Sequence, residues 1–178
     1  MEPTLPLDIL LSIIDLLGAV DDTSSIKSLQ ILSQTCKFMV PLCRKHLFSS
    51  LYLISNPRLE HFGDLLSKNP DIARYARSLS YEVHNPTSVH ELNILDLLQE
   101  RSSLRSIRLF STESLNWNSF PELMRSSLVS LIYLPTVIDL DITYFKDFPA
   151  TALSSCSNLI YVQLGEHHLD PHEVNQPD

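Results

Sequence analysis

Near the end of the chain His167, His168 and His172 lie beside Glu166, Asp170 and Glu173. A histidine pair spaced i, i+4 can hold a divalent metal when a helix aligns the two rings. Pro171 falls inside that spacing and breaks the helical register, so the segment reads as a solvated tail with no metal site. Cys36 and His46 could in principle act as thiol and base. In its apolar context, however, Cys36 reads as a small filler of a helical core. His84 and His90 flank a loop and have no nucleophile beside them. With only 3 glycines in 178 residues, the chain has no GxxxxGK[ST] or GxGxxG loop to cradle phosphate. The expectation is a non-enzyme with no catalytic residue, no cofactor and no metal.

If the chain does no chemistry, its elements must carry the function by binding. Hydrophobic residues make up 44% of the chain, enough for a real core. The net charge of -8 disfavours nucleic acid and anionic lipid as partners. Cys36, Cys43 and Cys156 are odd in number and lack CxxC spacing, which points away from a disulfide framework or zinc knuckle and toward a reducing intracellular compartment, cytoplasmic or nuclear. The apolar run Leu5 to Val20 is interrupted by Asp8 and Asp15 and preceded by Glu2, so it reads as a folded helix and not a signal peptide. Leu128 to Phe145 contains Pro135, Asp139 and Asp141, which argues against a membrane span.

Between Leu7 and Leu17 only Asp8, Ser12 and Asp15 are polar, and their spacing puts all three on one narrow helical face. The apolar remainder exceeds the stripe of roughly 100° that a surface helix turns to its own core. Some of it therefore wants a partner. A second helix should start after Asp21 and Asp22 and carry Ile26, Leu29, Ile31 and Leu32. A third should run through Phe38, Val40 and Leu42 to the basic Arg44, Lys45 and His46, which suit a helix C-terminus. Three short helices make a marginal core alone, so they are either a docking module or a cap on a larger unit.

The stretch Leu5-Pro6-Leu7-Asp8-Ile9-Leu10, then Ile13-Ile14-Asp15-Leu16-Leu17, Leu29 to Cys36-Lys37-Phe38, and His46-Leu47-Phe48 resembles the F-box family, in particular its fungal type. The resemblance covers residues 5 to 51 and departs from the family in two places. Phe38 stands where Trp is common, and the connection Asp21 to Ser25 is long. It implies a three-helix module that binds a Skp-type adaptor and, through it, a cullin. Leu5, Pro6, Ile9, Leu10 and Ile13 would make the first contact, continued by Leu29, Leu32 and Ser33.

Downstream, pairs of apolar residues separated by one position recur at Leu51 and Leu53, Leu79 and Tyr81, Ile107 and Leu109, Leu140 and Ile142, and Val162 and Leu164. They read as short strands, with first members about 28, 28, 33 and 22 residues apart, near the leucine-rich-repeat period. Between them, Asn56-Pro57 marks a helix start, and Ser88 with Glu91 and Ser119 with Glu122 could form capping boxes. The expected fold class is α/β: residues 1–54 as an F-box-like helical module and residues 55–178, complete or truncated, as a leucine-rich-repeat-like solenoid with parallel strands. Ser80, Arg108, Asp141 and Gln163 would then face its concave side. Trp117, Phe120-Pro121, Leu134-Pro135, Phe148-Pro149 and Cys156-Ser157-Asn158-Leu159 resemble the degenerate repeats that follow fungal F-boxes.

The resemblance implies a substrate-recognition subunit of a Skp-cullin-F-box ubiquitin ligase, holding an unidentified target protein on the repeats. The alternative is a repeat scaffold outside any ligase, or a truncated, non-functional product, whose helices merely cap the solenoid.

Overall fold

The computed structural model describes residues 6–20, 22–54, 56–83 and 89–165. The chain is mixed α/β, with a helical unit followed by a parallel sheet. Helix α1, Leu7–Ala19, follows Pro6, whose carbonyl accepts the first helical N–H, from Leu10. Helix α2, Thr23–Thr35, is capped by Asp22, whose carboxylate accepts the Ser25 backbone N–H and hydroxyl at 2.8 Å each. These bonds hold the Asp22 carboxyl below its usual range. Helix α3, Met39–Leu47, tolerates Pro41 in its first turn, where no intrahelical donor is lost. Ile14, Leu29, Met39 and Cys43 form the core of the three helices, with Leu10, Leu17, Leu32, Leu42 and Leu47 packed around them. Cys36 departs from expectation. It follows α2 in an extended conformation, leaves the packed face and is exposed, while Cys43 is the buried thiol.

The remaining elements are β1 (Ser50–Leu53), α4 (Asn56–Lys68), β2 (Ser78–Glu82), α5 (Val89–Arg101), β3 (Ser106–Phe110), β4 (Leu115–Asn116), α6 (Glu122–Ile132), β5 (Asp139–Thr143), β6 (Phe145–Lys146) and β7 (Tyr161–Gly165). Five strands form one parallel sheet in the order β1-β2-β3-β5-β7, each beside its predecessor along the chain. The recurring apolar pairs fall into register. Leu51, Leu79, Ile107, Leu140 and Val162 make one row across the sheet, and Leu53, Tyr81, Leu109, Ile142 and Leu164 make the next. The entry to each later strand repeats one backbone device. The carbonyls of Ser49, Arg77, Arg105 and Ile138 each accept two consecutive N–H groups, from residues 77 and 78, 105 and 106, 138 and 139, and 160 and 161.

From β1 to β5 those rows are buried against Leu59, Phe62 and Leu66 of α4, Ile94, Leu95 and Leu98 of α5, and Met124, Leu128, Leu131 and Ile132 of α6. One face of the sheet is thus covered by helices, and alternate side chains point away from them. Ser119 does not cap α6 with Glu122. Its hydroxyl donates to the Asn116 carbonyl in a 3₁₀ turn, and Pro121 occupies the cap position. Ser88 of the other expected capping box lies outside the described residues, as do the tail histidines and His84. Beneath the short β4–β6 pair, Trp117 meets Phe120, Phe145 and Phe148 edge-on at centroid distances of 6.2, 6.2 and 4.9 Å. Asn116 ties this layer to Asp147, a non-glycine residue at positive φ, by a 2.7 Å hydrogen bond.

Candidate docking surface on the amino-terminal helices

Three faces of α1 have three fates. Leu10, Ile14 and Leu17 turn inward to the helical core. Asp8, Ser12 and Asp15 form the polar stripe, and Asp15 draws α3 against α1: its Oδ1 accepts from Lys45 Nζ at 2.7 Å and meets His46 Nε2 at 2.9 Å. The Lys45 bond, then the His46 bond, hold the Asp15 carboxyl below its usual range. Gly18 makes this approach possible, because the His46 ring packs where a Cβ at position 18 would stand.

The third face is open to solvent. Ile9, Ile13 and Leu16, spaced by four and three residues, share one stripe and are 46%, 40% and 69% exposed, while Val20, extended past the end of α1, is 52% exposed. Pro6 is exposed at the head of the helix. On α2 and at its exit, Ile26, Ile31 and Phe38 are exposed as well. A run of large apolar side chains in water at helical spacing is the usual mark of an interaction surface.

The residues expected to contact an adaptor are therefore divided. Pro6, Ile9 and Ile13 are open to solvent. Leu10 and Leu32 are partly buried against the helical core, and Leu29 is 2% exposed within it, so its side chain holds the helices together and is not available to a partner. The Ser33 hydroxyl is occupied by the Gln30 carbonyl at 2.6 Å. Leu5 lies outside the described residues. Leu16 and Ile31 stand outside the contact set that the resemblance implies, although the four-three spacing from Ile9 already contains Leu16.

The open face of the sheet is polar by contrast. Tyr52, Ser80, Arg108, Asp141 and Gln163 make one row across it. The row satisfies part of its own polarity: Arg108 Nε donates to Asp141 Oδ2 at 2.9 Å, and Tyr161 donates to Gln163 at 3.1 Å. Two residues earlier on the same face, Ser106 donates to Asp139 at 2.8 Å.

Chemistry is sparse elsewhere. The Tyr81 hydroxyl, buried in the sheet, bonds Glu91 of α5 at 3.3 Å. Burial first, and the neighbouring carboxylate second, push the phenol pKa far up, so it remains a neutral donor that ties helix to strand. Among the described residues no group of three histidine, cysteine or acidic side chains is arranged to hold a metal. Nor is any described helix long and apolar enough to cross a membrane. No family model matches the chain, and neither a curated protein nor a solved structure matches it significantly.

Proposed function

We propose that this chain is a non-catalytic adaptor: its first three helices dock onto a Skp-type protein of a cullin ubiquitin ligase, and its leucine-rich-repeat-like sheet holds a target protein. The reading joins the F-box resemblance of residues 5 to 51 to one observation, the exposure of Pro6, Ile9 and Ile13. Helices that served only as an end cap would turn that face inward. Instead the helical unit has its own core, separate from that of the sheet, and leaves one side of α1 free. Ubiquitin transfer in such an assembly needs no residue of this chain, because holding target and charged enzyme together raises their effective concentration.

A capping role is supported as well, since Leu17, Gly18, Ile26, His46 and Leu47 share a cleft with Ser50 and Tyr52 of β1. The helices can protect that edge with one side and dock with another. Calorimetry with a purified Skp adaptor tests the docking role. The parent chain should bind with roughly micromolar or tighter affinity, and Ile9→Asp with Ile13→Asp should abolish binding while leaving the circular dichroism spectrum unchanged. Absence of binding by the folded parent refutes the adaptor role and leaves the capped scaffold.

A further inference from the structure

We infer that the side of the sheet where β2 and β3 begin is a docking site for a carboxylate-rich segment of a partner protein, held by Arg77 and Arg105. This goes beyond the adaptor reading and does not rest on it. The two arginines stand at equivalent positions of consecutive repeats, each just before a strand, and the Arg105 N–H donates to the Arg77 carbonyl at 2.7 Å. Both residues are exposed. Arg77 is posed by its Nη1, which donates to the Arg74 carbonyl at 3.5 Å and to the Ser103 carbonyl at 3.4 Å, so its fork sits between the turn before β2 and the turn before β3. Arg74 adjoins it from the 3₁₀ turn Pro70–Tyr75, stacked 4.9 Å from the Tyr75 ring centroid and donating to the Tyr75 hydroxyl at 2.9 Å.

Local structure accounts for the neighbouring cations but not for this pair. Lys68 and Arg101 close α4 and α5, where a positive charge offsets the helix dipole, and Arg101 is paired with Asp71 at 3.3 Å and Glu100 at 3.9 Å. Arg77 and Arg105 lie outside the helices, and neither they nor Arg74 forms an ion pair among the described residues. Asp139, the acid at the start of β5, turns to the open face and accepts from Ser106. In a chain of net charge -8, three adjoining arginines without a paired carboxylate are a local reversal of sign, and carboxylates are its complement. An arginine fork meets a carboxylate with two parallel N–H···O bonds, so it selects this group by shape as well as by charge. Neighbouring strands lie about 4.8 Å apart and alternate residues of an extended segment about 6.6 Å apart. Two long arginine side chains span that mismatch, so acids at alternate positions of one segment reach both. The occupant is a short protein segment and not a nucleic acid or an anionic membrane, because a polyanion reaching past the patch would meet the surplus acid of the rest of the chain.

Fluorescence anisotropy of the full chain with a labelled peptide of alternating Glu and Ser tests this. The parent should bind at roughly 100 μM or tighter in low salt, and the affinity should fall as added salt screens the contact. Arg77→Glu with Arg105→Glu should weaken binding by at least about tenfold and leave the circular dichroism spectrum unchanged. Ile9→Asp with Ile13→Asp should bind the peptide as the parent does, so failure of this site and failure of the helical docking surface are told apart. No binding by the folded parent overturns the inference, as does undiminished binding in the folded arginine variant, loss of binding in the helical variant, or an affinity indifferent to salt. Tighter binding of a single-stranded oligonucleotide of the same charge also overturns it, by making the patch a nucleic-acid site. If the charge-reversed variant fails to fold, Arg77→Gln with Arg105→Gln replaces it, and undiminished binding in that folded variant overturns the inference equally.

Discussion

Ile13 and Ile14 are neighbours in sequence and opposites in role, and truncating the second tests whether the helical unit opens by itself. Ile14 is fully buried, one of four residues at the heart of a small core, whereas Ile13 is 40% exposed. Replacing a buried isoleucine by alanine costs about 2–5 kcal/mol in lost burial and cavity formation. At about 1.4 kcal/mol per tenfold change in an equilibrium constant, Ile14→Ala should speed amide exchange in α1, α2 and α3 by between about 30-fold and several thousand-fold. The sheet has its own core, built from β1 to β5 and α4 to α6, and shares none of these four residues. Exchange at Leu79, Tyr81, Ile107 and Leu109, in the middle of that sheet, should change by less than about threefold if the two units open independently. Hydrogen–deuterium exchange resolved by peptide gives both numbers in one experiment. Equal acceleration in the helices and in β2 and β3 would show one cooperative unit and refute the division into two cores.

Two more outcomes follow from single side chains. The folded-state pKa of Asp15 lies below the ordinary 3.8, first through Lys45 and then through His46, so its ion pairs stabilise the helices at pH above that ordinary value and are lost as pH falls through the depressed one. Thermal melts followed by circular dichroism between pH 6 and pH 2 should therefore show helical stability falling below about pH 4, less steeply in Asp15→Asn, and an identical slope in the variant would refute the assignment. Thiol labelling should separate the cysteines: the exposed Cys36 reacts at once, and the buried Cys43, whose pKa is raised by desolvation, reacts only on unfolding. Fast modification of Cys43 in the native protein would refute its placement.

The strands were legible because a parallel sheet covered on one face repeats its core positions every second residue, and five apolar pairs at that spacing stand in register in the structure. Helix positions were legible for the same reason, from the polar stripe of α1 and the Asp22 cap of α2. Tertiary direction was less so. Leu29 and Ile31 look alike in sequence, yet one is core and the other is solvent-exposed, because which face of α2 meets α1 and α3 is decided by packing. Cys36, expected in the helical core, is exposed because α2 stops at Thr35 and the chain turns outward there. The capping signal at Ser119 failed for a local reason: an Asn116 carbonyl within reach of the hydroxyl competed successfully for it.

The distribution of exposed apolar surface is what favours the proposed docking role over a capped scaffold. Large apolar side chains in water run along α1 and α2 and recur at Ile160 to Leu164, with Leu123 and Tyr133 exposed between them, while the open sheet face is lined by Tyr52 and by serine, arginine, aspartate and glutamine. A net charge of -8 keeps copies apart in general, so association is favoured where uncharged apolar surface outweighs that repulsion. The stripe on α1 meets that condition, and a helical stripe repeating every three or four residues matches the ridges of another helix. On the proposed docking role, the helical stripe would take a helical partner, while the polar face of the sheet would stay open to a different one.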